Sequence, residues 1–272
     1  MPENKIKLYV INLKSSKDRR KIMENQLNQL NIPFEIFDAV RGADLSEAEI
    51  LRYYDKDYYL SRPDYFTPGA AGCTISHYTL YQKIMDEKVN TAIILEDDME
   101  IHKDLPLFAE KLSGKIKDDE VVMLFYQSYS PIPLSEEQAQ HINGKYQLYP
   151  VIATKGLRST GGYIITHTAA RRLVEKVLPY TGMADDWKGF YDKGALNGVR
   201  VAYPFLLNNT YESTTISPNT KGGFIIQKVI PFLDKNKIFP FHQLLRWRRK
   251  RNIEQTRICV FKNEAPKDFR EN

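Results

Sequence analysis

Hydrophobic positions along the chain switch repeatedly between two spacings. KLYVIN (Lys7–Asn12) is an apolar run of strand length, and Ile22, Met23, Leu27 and Leu30 follow at helical intervals. Ser15 and Asp18 stand before that helix with capping-box spacing. PFEIFDAV (33–40) predicts a second strand, which makes the opening a strand–helix–strand unit of a parallel sheet. After a tyrosine-rich segment, TPGAAGCTISHYTLYQKIMDEK predicts a long helix with Thr67 as its cap and Pro68 in its first turn. TAIIL predicts the next strand, EVVMLFY (120–126) a fourth and GGYIIT (161–166) a fifth, with a helix over 168–177. The alternation predicts an α/β domain with a mostly parallel sheet. Residues 127–147 read as an irregular insertion and 207–223 as a loop.

Composition narrows the class. With 42% hydrophobic and 12% aromatic residues in 272, the chain can build a sizeable core, which excludes global disorder. The net charge of +5 is unevenly placed. Residues 235–272 carry 11 Lys/Arg against 4 Asp/Glu, a net +7, which leaves 28 basic and 30 acidic groups in a body of net −2. Two regions are therefore expected: a nearly neutral body over 1–234 and a basic, aromatic-containing tail over 235–272. Cys73 and Cys259 are too distant in sequence to suggest a disulfide framework or a metal motif. The start, MPENKIKLYVINL, lacks the long apolar core of a signal peptide, and a cytoplasmic location is expected.

The chemistry concentrates where the TAIIL strand ends in Glu96, Asp97 and Asp98. Ligands of open α/β sheets bind beyond the carboxyl ends of strands. Strand alternation predicts Glu96 and Asp98 on one side and Asp97 on the other. Such a carboxylate pair suits Mn²⁺ or Mg²⁺, a hard cation that relieves the repulsion and leaves positions for phosphates. The stretch from Asn12 to Arg20 offers helix N-terminal amides and two arginines to a diphosphate, although no glycine-rich phosphate loop is present. His77 lies among Cys73, Leu80, Tyr81 and Ile84 at helical spacing and reads as a packed helix residue, with Ser76 on a neighbouring face. Asp185 and Asp186, in MADDWKGFY, form a second acid pair beside aromatic rings. That setting suits either sugar recognition or a helix start.

Taken jointly, YVINLKSSKDRR, FDAVRG, GAAGCTISHYTLYQKI, AIILEDDMEI, GGYIIT and ADDW resemble glycosyltransferase family 25, the bacterial lipooligosaccharide glycosyltransferases. The resemblance runs from residue 7 to about 210. It implies a GT-A-like, Rossmann-type sheet, a UDP-sugar donor (galactose favoured), a lipooligosaccharide acceptor and an inverting, metal-dependent transfer. It implies Asp98 and Glu96 as cation ligands, Asp185 or Asp186 as the base, and donor contacts from Asn12, Leu13, Arg19, Arg20, Asp38, Ser76, Glu96 and Asp97. Should neither aspartate be the base, the acids of RPDYF and YESTT are the next candidates. Two rival readings stand beside it: a metal-dependent phosphohydrolase, which would use the same acid cluster to activate water, and a non-catalytic nucleotide-sugar-binding protein. In the tail, FPFHQLLRWRRKRNI interleaves aromatics with arginines. No nucleic-acid motif accompanies it, so the expected partner is an anionic membrane, and the enzyme is expected to sit peripherally on the inner face.

Overall fold

The structure, a computed structural model, describes residues 6–112, 114–128, 130–210 and 229–266. The strands are β1 (Lys7–Asn12), β2 (Glu35–Asp38), β3 (Thr91–Glu96), β4 (Met99–Ile101), β5 (Glu120–Met123), β6 (Ile132–Ser135), β7 (Gln140–Asn143), β8 (Tyr146–Pro150), β9 (Gly162–Thr166), β10 (Gly198–Tyr203), β11 (Leu207–Asn209) and β12 (Cys259–Lys262). The α-helices are α1 (Lys17–Gln29), α2 (Glu47–Ile50), α3 (Lys56–Leu60), α4 (Pro68–Asp86), α5 (Leu105–Leu112), α6 (His167–Lys176), α7 (Trp187–Asp192), α8 (Ile230–Lys235) and α9 (Phe241–Glu254).

Eight strands form the central sheet in the order β2-β1-β3-β9-β5-β10-β8-β7. β2, β1, β3, β5, β10 and β7 run one way, while β9 and β8 run against them. The sheet is thus mostly parallel, as the alternation predicts, but the GGYIIT strand is antiparallel to both neighbours. That reversal brings the start of β9 to the carboxyl end of β3, with Gly162 paired to Leu95.

Side chains leave each strand on alternate faces, and both faces are covered. Tyr9 and Ile11 of β1 join a core with Leu80, Tyr81 and Ile84 of α4, Leu173 of α6 and Trp187 of α7. Leu8 and Val10 face the other way, onto Met23 and Leu27 of α1 and Phe108 of α5. Thr67 caps α4 as expected, its Oγ1 accepting from the Ala70 amide at 3.3 Å. The capping box expected at α1 does not form: Ser16 is the cap residue and makes no side-chain capping bond.

The segments after β2 and along α4 meet for a steric reason. A Cβ on Gly42 would lie 1.6 Å from the Pro68 carbonyl oxygen, and one on Gly72 would lie 2.5 Å from the Gly42 nitrogen. Only glycine lets these backbones approach so closely.

Residues 127–147 are not irregular. They contain β6, β7 and the start of β8, each of four or five residues and two of them carrying prolines that blur the strand pattern. β11 lies in the stretch read as a loop and pairs with β4. The far end of the tail returns to the body, where β12 runs parallel to β6 and Phe261 packs 4.9 Å from the Tyr149 ring.

Candidate active site

Three parallel strands end together at Asn12, Asp38 and Glu96. β3 stops at Glu96, and Asp97 and Asp98 form a turn into β4. Strand alternation therefore ends one residue too early for the predicted pairing of Glu96 with Asp98. Asp97 and Asp98 instead both reach Arg19 of α1, at 2.8 and 3.5 Å. Asp97 also accepts from Asn12 Nδ2 at 2.7 Å. Glu96 turns to α4 and β9. Its Oε1 accepts from Thr160 Oγ1 at 2.5 Å and lies 3.3 Å from His77 Nε2 and 3.9 Å from Cys73 Sγ.

His77 is buried, as its apolar neighbours predict, but it also reaches the acid cluster. Its Nδ1 meets the Tyr163 hydroxyl at 2.8 Å, and that hydroxyl meets Tyr81 at 2.7 Å. A chain of rings thus fixes the imidazole against Glu96. Cys73 Sγ, His77 Nε2 and Glu96 Oε1 all lie within 4.8 Å of one another.

The cluster's electrostatics are uneven. Burial alone would raise the Glu96 carboxyl, but His77, Thr160 and the charge of Arg19 together hold it below its usual range. Asp98 takes the opposite course. Burial, followed by repulsion from Glu96, pushes it up to about 7 against the pull of Arg19.

The second acid pair divides. Asp185 lines a cavity of about 600 Å³ together with Glu96, Thr160, Cys73 and Tyr65. Burial raises its carboxyl above the usual range, partly countered by the Ser159 amide, which donates to Asp185 Oδ2 at 3.0 Å. Ser159 is a non-glycine residue at φ +89°, held there by bonds from its amide to Asp185, to its Oγ from Gly161 and to its carbonyl from Trp187. Such a strained backbone next to a cavity persists only where its surroundings over-determine it. Asp186 has a different job. It caps α7, its Oδ1 accepting from the Gly189 amide at 3.3 Å, and Arg158 stands 3.6 Å away.

Asp185 also lines a second cavity, of about 760 Å³, with Tyr65, Arg158, Asn252, Gln255 and Thr256. The two cavities share Tyr65, Gln127, Met183 and Asp185. Their meeting at one carboxylate could not be read from spacing, since Thr160, Asp185 and Asn252 are brought together only by the sheet and the returning tail.

Several expected contacts lie apart from these cavities. Ser76 is fully buried, donates to the Gly72 carbonyl at 2.6 Å and accepts from the Val40 amide at 2.8 Å, so it ties α4 to the turn after β2. Arg20 pairs with Glu24 on the surface at 2.8 Å, and Asp38 pairs with Lys14 at 3.2 Å. Leu13 contributes its carbonyl to the turn before α1, where it accepts from the Ser16 amide. Asp64 of RPDYF lines the first cavity. The YESTT acid lies outside the described residues.

An α/β sheet with partly buried acids at the carboxyl ends of its strands offers a ligand site beyond those ends. Its sequence says more. The profile of glycosyltransferase family 25 (LPS biosynthesis protein) matches residues 5–187, and the chain belongs to that family. A protein of Acanthamoeba polyphaga mimivirus named as a glycosyltransferase is 30% identical over 175 residues, covering 62% of this chain and 52% of that protein. Procollagen galactosyltransferase 1-B of Xenopus laevis is 29% identical over 188 residues, covering 63% and 29% respectively. A lipooligosaccharide biosynthesis protein of Haemophilus influenzae is 26% identical over 177 residues, 64% of each chain. The matched region spans about half or less of the first two relatives.

Proposed function

We propose that the chain transfers a hexose, galactose first, from a UDP-sugar to a saccharide acceptor with inversion at the anomeric carbon. The observation that carries this reading is the position of Asp185, on the wall shared by two cavities, one of which also exposes Glu96. A base for an inverting transfer must reach the acceptor hydroxyl on the face opposite the leaving group, and this placement serves that task. The acceptor oxygen would form its bond to the anomeric carbon as its proton passes to Asp185. The bond from that carbon to the diphosphate oxygen breaks, and UDP leaves with the electron pair. Burial suits Asp185 to the role, because a base works best with a pKa nearer the working pH than that of a free carboxylate.

A divalent cation fits the acid cluster, since Asp97 and Asp98 stand together at the end of β3 and carboxylate oxygens are the donors hard cations take. Asp98, with Asp97 beside it, would hold it, Glu96 being turned towards His77 and Thr160, and it would supply charge neutralisation at the diphosphate. Arg19, fixed on Asp97 and Asp98, sets how much charge the cluster already has. Donor sugar and acceptor class follow the named relatives, one a procollagen galactosyltransferase and one a lipooligosaccharide biosynthesis protein.

The test is a panel of UDP-sugars with Mn²⁺, with and without lipooligosaccharide. Transfer of galactose ahead of glucose and N-acetylglucosamine is the expected result. Phosphate release from simple esters, or nucleotide-sugar binding with no turnover on any acceptor, would overturn the reading in favour of its two rivals.

A further inference from the structure

The described part of the tail is exposed in an unusual way. Among the described residues, eight of the thirteen exposed large hydrophobics fall between Ile230 and Val260, six of them in the tail itself, and Phe239 is 77% exposed. On α9, Phe241, Leu244 and Trp247 are all at least half exposed. Their spacing of three places them on one side of the helix, with Arg248 and Arg251 between and beside them. Arg251 lies over the Trp247 ring at 5.8 Å. The opposite side is used internally. His242 and Arg249 both pair with the buried Asp234 of α8, which clamps the two helices together. The structure therefore separates two groups of cations that the sequence ran together: Arg249 is structural, while Arg246, Arg248, Lys250 and Arg251 are exposed.

We infer that the outer side of α9, with Phe239, is a docking surface for an anionic lipid bilayer. Charge complementarity selects that occupant. A purely apolar partner would leave Arg248 and Arg251 desolvated and unpaired, and a purely polyanionic one would leave Phe239, Leu244 and Trp247 in water. A bilayer surface satisfies both groups, with acidic headgroups for the guanidinium ions and the acyl boundary for the rings. The attachment lies on the membrane and does not cross it, since no helix among the described residues is long and apolar enough to span one. Docking would also orient the molecule. Asn252 and Gln255, at the end of the same helix, line the cavity that Asp185 shares, so a surface-bound α9 holds that cavity beside the bilayer.

Tryptophan fluorescence reads this directly. The chain has two tryptophans, of which Trp187 is fully buried and Trp247 is 60% exposed. Emission of the full chain should shift to the blue with vesicles of phosphatidylcholine and phosphatidylglycerol, and not with phosphatidylcholine alone. Trp247→Phe should abolish the shift while co-sedimentation persists. The double variant Arg248→Gln/Arg251→Gln, at two exposed positions, should lower partitioning about 30-fold, and raised salt should act the same way. Leu244→Ala should weaken binding at every salt concentration. Equal uptake by neutral vesicles, an unchanged partition in the arginine variant, or tight binding to an oligonucleotide duplex without vesicle uptake would each overturn the inference.

Discussion

The acid cluster after β3 and the acid pair after α6 are built from the same residue types and are held in opposite ways. After β3, three consecutive carboxylates meet a guanidinium, an imidazole, an amide and a hydroxyl. Even so, burial and repulsion from Glu96 push the Asp98 carboxyl up to about 7. After α6, Asp185 has no ion pair among the described contacts within 4.0 Å; it has one backbone amide and burial. The first arrangement gathers charged partners, whereas the second raises one carboxyl chiefly through burial. Proximity in sequence predicts neither, because Asp185 and its neighbour Asp186 already differ more in role than Asp97 and Asp98 do.

The strongest way to break this contrast is at Asp185. Asp185→Asn removes the proposed proton acceptor and should lower turnover by about 10²–10⁴-fold, the usual worth of a positioned base. Donor affinity, measured by UDP binding, should change little. Near-normal turnover in this variant would shift the base to Asp64 or beyond the described residues.

Asp98→Asn tests the other half. It should cost about 10²–10³ in rate, the range for losing one electrostatic stabiliser of a developing charge. Thermal unfolding should shift upwards with Mn²⁺ in the parent and not in the variant. Full activity in excess chelator, or an equal Mn²⁺ shift in both proteins, would detach the cluster from any cation.

The pH dependence of transfer sharpens the comparison further. A base must be ionised, and burial raises the Asp185 carboxyl. The acid limb of the rate profile should therefore lie above the ordinary aspartate range, with a loss of about tenfold per pH unit below it. Stability should run in the opposite sense. A carboxyl whose folded pKa is raised contributes stability at low pH and loses it as pH rises through that pKa. Asp185→Asn should accordingly melt at or above the parent at neutral pH, with the gap closing on acidification. A rate profile falling only in the ordinary aspartate range would assign the acid limb to another group.

The segments that carry the site were legible to different degrees. β1, β3 and the capped α4 follow from local pattern alone, because each is a buried run with its own boundary signals. The alternation also announced a strand–helix–strand unit, and β1 and β2 are parallel in register. It could not announce that β9 runs backwards, since an apolar run carries no direction. That reversal delivers Thr160 and Ser159 to the cavity. Asp97 points away from Glu96 as the alternation predicts, but Asp98 joins Asp97 at Arg19 because strand geometry stops at Glu96. His77 was placed correctly as packing, but its contact with Glu96 spans nineteen residues and a change of element, beyond any periodicity. The tail's basic and aromatic character is visible in composition, but α9 and β12 are not, and the pairing of β12 with β6 is purely tertiary.

The smallest effect is expected at Asp186, and it isolates the comparison best. Its carboxylate caps α7 beside Gly182 and Gly189, where a Cβ on either glycine would fall within 2.4 Å of Oδ2. That crowding sets the carboxylate against backbone on one side, with Arg158 and a cavity lined by Tyr58, Arg62 and Asp64 on the other. Asp186→Ala should remove a helix cap, typically about 1 kcal/mol of stability, and lower the melting temperature by a few degrees. Turnover at a temperature well below melting should stay within severalfold of the parent. Asp186→Ser, which restores a capping oxygen without the charge, should recover most of the lost stability. A turnover loss in both variants matching that of Asp185→Asn would mean that Asp186 reaches the reacting atoms and that the division between the two aspartates is wrong.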